Sequence, residues 1–267
     1  MSVHHAKKIH KHVGGKRVRV FAHVNPLSDG DYAYPRKPED VDWHAYFPHA
    51  VPPMEELAGM TPEQREQQKK VSFVDIGCGF GAFLLRLGEL FPEELGLGLE
   101  IRDKAVEFVQ ERIDRAGVKN VGVHRTNVMK YLVHYFEQGQ LDKMFFCFPD
   151  PHFKRKNWRR RIISPTLLSQ YAYVLRPGGR IYNVTDVEEL HKWTVDAFAT
   201  HPLFERIPEE ELADDKAVHA MRNDTDEAKR VAKRPDGRTY VAVYRRLADD
   251  AVADDAEIDF TPMQKYA

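Results

Sequence analysis

Residues 145–161, FFCFPDPHFKRKNWRRR, run from an apolar stretch through an acid framed by two prolines into six cations. Pro149 and Pro151 bias the backbone around Asp150 away from helix and hold its carboxylate in one presentation. Pro-Asp-Pro also makes a surface turn, and a charge run is usually a solvated face. The alternative is a chemical site that meets a polyanion. A second stretch, VDIGCGFGAF from residue 74 to 83, sets Gly77, Gly79 and Gly81 between Asp75 and the start of a helical pattern. Glycines there permit a tight turn and let a nucleotide lie against the backbone at the helix start. Glu100 ends the next apolar run, where a carboxylate can accept hydrogen bonds from both hydroxyls of a ribose. Asn127, in HRTNVMK, falls where an adenine edge would lie, and is equally suited to capping a helix.

With Ala82 as a third small residue, the glycine loop also satisfies the dinucleotide fingerprint. Asp75 argues against a dinucleotide, because its carboxylate would repel a pyrophosphate on the loop, whereas S-adenosylmethionine carries an ammonium and a sulfonium that attract an acid. A methyl donor is therefore the expected cofactor. An enzyme that methylates small molecules and a noncatalytic RNA-binding subunit remain as rivals, and so does an NAD oxidoreductase, which would retain NAD and show no affinity for S-adenosylmethionine. Removal of the basic strip would leave the first unaffected, and loss of Asp150 would cost the second no methylation.

The elements that must position these residues are legible in the hydrophobic period. VSFVDIG, LGLGLEI, NVGVHR, LDKMFFCF and GRIYNV read as strands, and the segments between them place apolar residues at helical spacing. Five strand-helix repeats predict a parallel sheet with helices on both faces, and TYVAVYRRL predicts a further strand at an edge. In that arrangement the fourth strand delivers Asp150 beside the glycine loop. The cations after it, Lys154, Arg155, Lys156, Arg159, Arg160 and Arg161, then form a phosphate-binding strip flanking the reaction centre.

The chain has 267 residues, 30% of them charged and 42% hydrophobic, and a formal net charge of -1. Such a composition fits one sizeable α/β domain, and any basic surface must be local. No apolar run approaches the roughly 20 residues of a membrane span, and the first residues lack the apolar core of a secretory signal, so a soluble intracellular protein is expected. Cys78 and Cys147 have neither disulfide nor zinc spacing. Residues 1–19 are rich in Lys, Arg and His and read as a disordered basic arm, with a weak nuclear-import character; clustered His4, His5, His10 and His12 more simply belong to that arm than to a metal site. Residues 20–53 read as a wrapping segment without regular elements, and residues 248–267 as a solvated acidic tail.

Together, VDIGCGFG, GLEIR, FFCFPDPHFKRK and DTDEAKRV resemble the motifs of the tRNA (guanine-N7)-methyltransferase family, and HVNPLSDGDYAYPRKPEDVDW resembles its eukaryotic catalytic subunit. The resemblance spans residues 20–247, and FPDP followed by His and a basic run is its most specific part. It implies a class I S-adenosylmethionine-dependent methyltransferase, Rossmann-like and doubly wound, with a mostly parallel sheet. It implies cofactor contacts at Gly77, Glu100, Ile101, Arg102, Asn127, Val128 and Cys147, with Thr225 and Glu227 closing over cofactor and substrate and Asp150 as the active-site acid. Lys154, Arg155 and Lys156 are then the tRNA-binding cations. The implied reaction is methyl transfer to N7 of a guanine in the tRNA variable loop, by a nuclear heterodimer with a WD-repeat β-propeller subunit. By residue type alone, NDTDEAKRV is only a polar helix start with Thr225 as its cap. The extra arginines around Trp158 depart from the family's run, and some of them are assigned to stability or to another surface.

Overall fold

The computed structural model describes residues 8–13, 16–21, 24–28, 30–253 and 256–266. An antiparallel hairpin of β1 (Lys8–Val13) and β2 (Lys16–Phe21) comes first, then two short helices, α1 (Met54–Gly59) and α2 (Pro62–Glu66). The five predicted repeats follow as β3 (Val71–Ile76) with α3 (Ala82–Leu90), β4 (Leu95–Glu100) with α4 (Asp103–Ala116), and β5 (Val121–Arg125) with α5 (Val128–Tyr135). The last two are β6 (Leu141–Cys147) with α6 (Pro165–Val174), and β7 (Leu175–Thr185) with α7 (Glu188–Ala199). The chain then adds β8 (Phe204–Arg206), α8 (Lys216–Asn223), α9 (Asp226–Val231) and β9 (Tyr240–Arg246).

The main sheet has the order β5-β4-β3-β6-β7-β9-β8, with β3 to β7 parallel and β9 antiparallel to both of its neighbours. Winding runs outward from β3 through β5 and then crosses back to β6, so the order reverses between β3 and β6. Ligands bind at such a reversal, outside the carboxyl ends of the strands. Alternate strand residues divide between two buried clusters. Val74 and Phe146 face α5, α6 and α7, while Phe73 and Phe145 face α3, α4 and α8. That division is the doubly wound architecture the repeats predict.

Three expectations are corrected. The basic arm holds the β1–β2 hairpin, in which Lys8–Val13 pairs antiparallel with Lys16–Phe21; Gly14 and Gly15 lie outside the described residues. Residues 1–7, with His4 and His5, lie outside the described residues. The strand TYVAVYRRL is not at the edge: β9 lies between β7 and β8, with Ala242, Val243 and Tyr244 consecutively buried as an interior strand requires. The acidic tail is docked. The Asp259 amide donates to the Thr200 carbonyl at 2.9 Å, Met263 packs on the core, and the Tyr266 hydroxyl donates to Asp196 Oδ2 at 2.6 Å. Its acids dominate the composition, but its few apolar residues decide where it lies.

Of the wrapping segment, Val20 and Phe21 belong to β2, and its described residues from 24 to 53 hold two short 3-10 helices, Pro38–Asp40 and Trp43–Ala45, with no strand or α-helix. Side chains of the β5–α5 unit hold it by its carbonyls: Asn127 Nδ2 donates to the Pro26 carbonyl at 2.6 Å and Lys130 Nζ to that of Ser28 at 3.2 Å. Farther along, the Tyr135 hydroxyl donates to the Ala33 carbonyl, and the Tyr34 ring stacks on Tyr131. Among the described residues, no helix is long and apolar enough to cross a membrane, and no group of three or more His, Cys, Asp or Glu is arranged to hold a metal.

Candidate active site

A cleft of ≈ 420 Å³ opens at the carboxyl ends of β3, β4, β5 and β6. Gly77, Glu100, Ile101, Arg102, Asn127, Val128, Cys147, Thr225 and Glu227 all line it, and so does Asp150. Stretches of chain far apart in sequence thus meet where the winding reverses.

Gly77 has φ 72°, and a Cβ built on it would meet nothing within 4 Å, so its missing side chain faces open cleft. Gly81 has φ 74° for a different reason: a Cβ there would come within 2.7 Å of Val109, so this glycine lets α3 approach α4. The loop is therefore shaped by backbone conformation on one side and by helix packing on the other.

Glu100 is buried, and Arg102 already engages it as a fork. Arg102 Nη2 donates to Oε2 at 2.8 Å, and Arg102 Nε and its amide donate to Oε1 at 3.0 and 2.9 Å. The Gly79 amide also donates to Oε2, at 3.1 Å. A ribose diol at this carboxylate must share it with Arg102 or displace the fork. Asn127 differs from the adenine expectation in the same way. Its Oδ1 accepts from the Met129 amide at 3.2 Å to cap α5, and its Nδ2 holds Pro26, so the capping alternative is the one its side chain adopts. Thr225 also caps, accepting from the Ala228 amide at 2.9 Å at the start of α9. Glu227, two residues on, pairs with Arg230 at 2.8 Å.

Asp75 is 1% exposed, and its Oδ1 has no hydrogen-bond partner among the described residues. Burial first, then the charge of Glu100, push its carboxyl up to about 8. Near neutral pH it is a neutral acid, so fixed-charge repulsion of a pyrophosphate is replaced by a preference for a ligand whose cation displaces the proton. The cleft wall adds Glu100, Asp150, Asp226 and Glu227. Burial, with Asp75 and Glu227 nearby, also raises the Cys147 thiol well above its ordinary value, so it lines the cleft as a neutral group. A buried acid with an unsatisfied oxygen, an acid-lined wall and an open glycine loop fit a cofactor with an ammonium and a sulfonium.

The raised Asp75 value has a consequence for stability. Between 3.8 and about 8 the folded chain keeps a proton that the unfolded chain has lost, so this group's contribution falls as pH rises through that window and is level above it. Asp75→Asn removes the titration. Its denaturation midpoint relative to the parent chain is expected to rise between about pH 5 and about pH 9. A constant difference in chemical denaturation would show that the acid is ionised throughout.

The FPDP loop is held at both ends. Phe148 and His152 have φ 51° and 46°, left-handed values that cost non-glycine residues roughly 1–3 kcal/mol each and persist only where the surroundings enforce them. The Phe148 amide donates to the Val184 carbonyl at 2.7 Å, and Arg161 Nε donates to the Pro151 carbonyl at 2.9 Å. Between these anchors Asp150 Oδ1 accepts from the His152 amide at 3.2 Å, and His152 Nδ1 lies 3.8 Å from Oδ2.

The cations divide. Lys154, Arg155 and Lys156 are exposed just past the loop, outside the lining of the cleft, and Arg160 lines it. Arg161 is 1% exposed and is no part of a phosphate strip. It lies between the rings of Trp158 and Trp193, 4.9 and 4.6 Å from their centroids, and pairs with Glu189 at 2.7 Å. Trp158 supplied a signal for this, since an aromatic three residues before an arginine offers a ring for the cation to lie on. Val24 and Pro26 also line the cleft, which residue type does not foretell; the irregular segment that carries them gives no local sign of where it lands.

A family model described as "Putative methyltransferase" matches residues 69–240. The tRNA (guanine-N(7)-)-methyltransferase of Danio rerio is 48% identical over 234 residues, covering 85% of this chain and 93% of that protein. Those of Dictyostelium discoideum and Candida glabrata are 46% and 47% identical, covering 88% and 85% of this chain and 82% and 79% of theirs. Among solved structures, the 16S rRNA methyltransferase KamB aligns at 16% identity with a TM-score of 0.47, covering 71% of this chain and 94% of that one. With 46–48% of residues shared across at least 85% of its length, and the glycine loop, its acids and the FPDP loop gathered on one cleft, the chain belongs to the tRNA (guanine-N(7)-)-methyltransferase family.

Proposed function

We propose that the chain transfers a methyl group from S-adenosylmethionine to N7 of a guanine in the variable loop of tRNA, as catalytic subunit of a heterodimer with a WD-repeat β-propeller protein. One observation carries the reading. Asp150 lies on the same cleft as Gly77, Asp75 and Glu100, and the chain leaves that cleft directly into exposed Lys154, Arg155 and Lys156. A base can enter while its backbone stays on the cations. Supporting the partner are the resemblance of residues 23–43 to a eukaryotic catalytic subunit and a net charge of -1, which leaves most of a polyanion to be held by another surface. The basic first residues support nuclear residence.

When bound, S-adenosylmethionine supplies an electrophilic methyl on a sulfonium. Guanine N7 has an in-plane lone pair and carries no proton, so no general base is required. The residues therefore act by placement, an effect that supplies roughly 7–11 kcal/mol in favourable cases. Gly77 leaves room at the loop, Asp75 and Glu227 line the site with acid, and Asp150 accepts hydrogen bonds from the guanine N1 and exocyclic amino groups. The methylated ring is cationic, so the Asp150 carboxylate also stabilises charge that develops during transfer.

Transfer of labelled methyl from S-adenosylmethionine to total tRNA, with and without the propeller subunit, followed by identification of the modified base, tests the reading. Label at N7 of guanine is expected; label elsewhere, or none under either condition, overturns it. Neutralising Lys154, Arg155 and Lys156 together is expected to weaken tRNA binding and to flatten its salt dependence by about 0.7–0.9 for each phosphate that goes unneutralised. Cofactor affinity should hardly change. An unaltered salt slope in filter-binding titrations would return the three to a solvated face.

A further inference from the structure

We propose that Tyr266, at the end of the docked tail, is a positioning residue for methyl transfer, acting through Trp158 and Arg161 on the FPDP loop. The inference rests on the reading of Asp150 given above. Its basis is an unbroken run of contacts. The Tyr266 ring meets Trp193 edge-on at 4.9 Å and Trp158 at 5.7 Å, and these two indoles are 5.6 Å apart. The Arg161 guanidinium lies over both indoles, and its Nε donates to the carbonyl of Pro151, the residue after Asp150. The Tyr266 hydroxyl is fixed by Asp196 Oδ2 on α7, and Lys265 pairs with the same carboxylate at 2.8 Å.

Each link has a physical reason to be needed. Arg161 is a buried cation, and a desolvated guanidinium depends on its aromatic faces and its carboxylate for compensation. Trp193 is anchored independently, because its indole N–H donates to the Ile163 carbonyl at 2.8 Å. Trp158 belongs to the short turn Arg155–Arg160, which has no buried residue of its own, so its ring is held by Trp193, by Arg161 and by Tyr266, and the tail supplies one of those three contacts. The loop it steadies is strained at Phe148 and His152 and relaxes if an anchor loosens. The tail thereby sets both the carboxylate that meets the base and the turn that carries the cations.

The test compares Tyr266→Ala and Tyr266→Phe in the full chain, with and without the propeller subunit, by single-turnover methyl transfer to tRNA at saturating cofactor and RNA. Displacing a reacting group by an ångström costs up to about 100-fold, so Tyr266→Ala is expected to slow the single-turnover rate roughly 10- to 100-fold. Calorimetric affinity for S-adenosylmethionine should stay unchanged. Tyr266→Phe, which keeps the ring, should restore most of the rate. A role in stability alone would lower the amplitude of the turnover by reducing the folded fraction and leave its rate constant intact, and that result overturns the proposal. An unchanged rate in Tyr266→Ala overturns it as well. If the unsubstituted chain fails to methylate tRNA under either condition, the functional reading itself falls.

Discussion

Asp150→Ala is expected to keep S-adenosylmethionine and much of its tRNA affinity and yet to lose on the order of 100-fold or more in methyl transfer, the scale seen when one preorganised electrostatic partner is removed from an active site. Binding survives because the glycine loop and the exposed cations are untouched. Asp150→Asn separates the carboxylate from the loop. Asp150 Oδ1 closes a turn by accepting from the His152 amide, and an asparagine oxygen can do the same, so the loop keeps its shape. What changes is the second oxygen, which becomes an amide donor facing donors on guanine, with no charge to offset the cationic product ring. Both variants should therefore be poor, with Asn poor despite an intact loop. Single-turnover rates at saturating substrates, measured across neutral pH, should show no rise from deprotonating N7, which has no proton to lose. Near-normal rates in both variants would leave Asp150 as a turn residue that the prolines merely frame.

How much of this was legible follows from how local each determinant is. The five strands and the helices after them could be read because burial on both faces leaves continuous apolar runs, and because helix and strand periods differ. The glycine loop could be read because Gly77 and Gly81 each carry a conformational demand within a few residues of one another. Asp150 could be read because its neighbours are prolines. Arg161 has the same type as Arg159 and Arg160, and locally only Trp158, three residues before it, sets it apart. Its burial depends on Trp193 and Glu189, about 30 residues away, and on a tail about 100 residues away. Thr225 and Glu227 reach the cleft only through the fold between β8 and β9, which no local pattern specifies, and resemblance alone pointed to them. Asn127 and Glu100 line the cleft and are engaged there by neighbours of their own chain, because spacing predicts where a side chain stands and not which neighbour satisfies it.

Gly77→Val is expected to abolish S-adenosylmethionine binding, at least about 100-fold, equivalent to roughly 2.7 kcal/mol. Two effects act together. At φ 72° a residue with a Cβ is strained by roughly 1–2 kcal/mol, and a branched one by more. The added atoms also project into open cleft, where the protein offers nothing within 4 Å and the cofactor would lie. Gly77→Ala separates the effects, since it carries most of the backbone strain and little of the bulk. The Gly77 amide donates to the Leu99 carbonyl at 2.8 Å, a bond both variants can keep, so β3 and β4 remain joined and the variants are expected to fold with a modest loss in melting temperature. Binding should then fall in the order Gly, Ala, Val, while the melting temperatures of Ala and Val stay close. Calorimetry on folded protein decides the matter: unchanged cofactor affinity in Gly77→Val would remove Gly77 from the site, and equal losses in Ala and Val would assign the effect to backbone strain and leave the cleft beside Gly77 without a ligand.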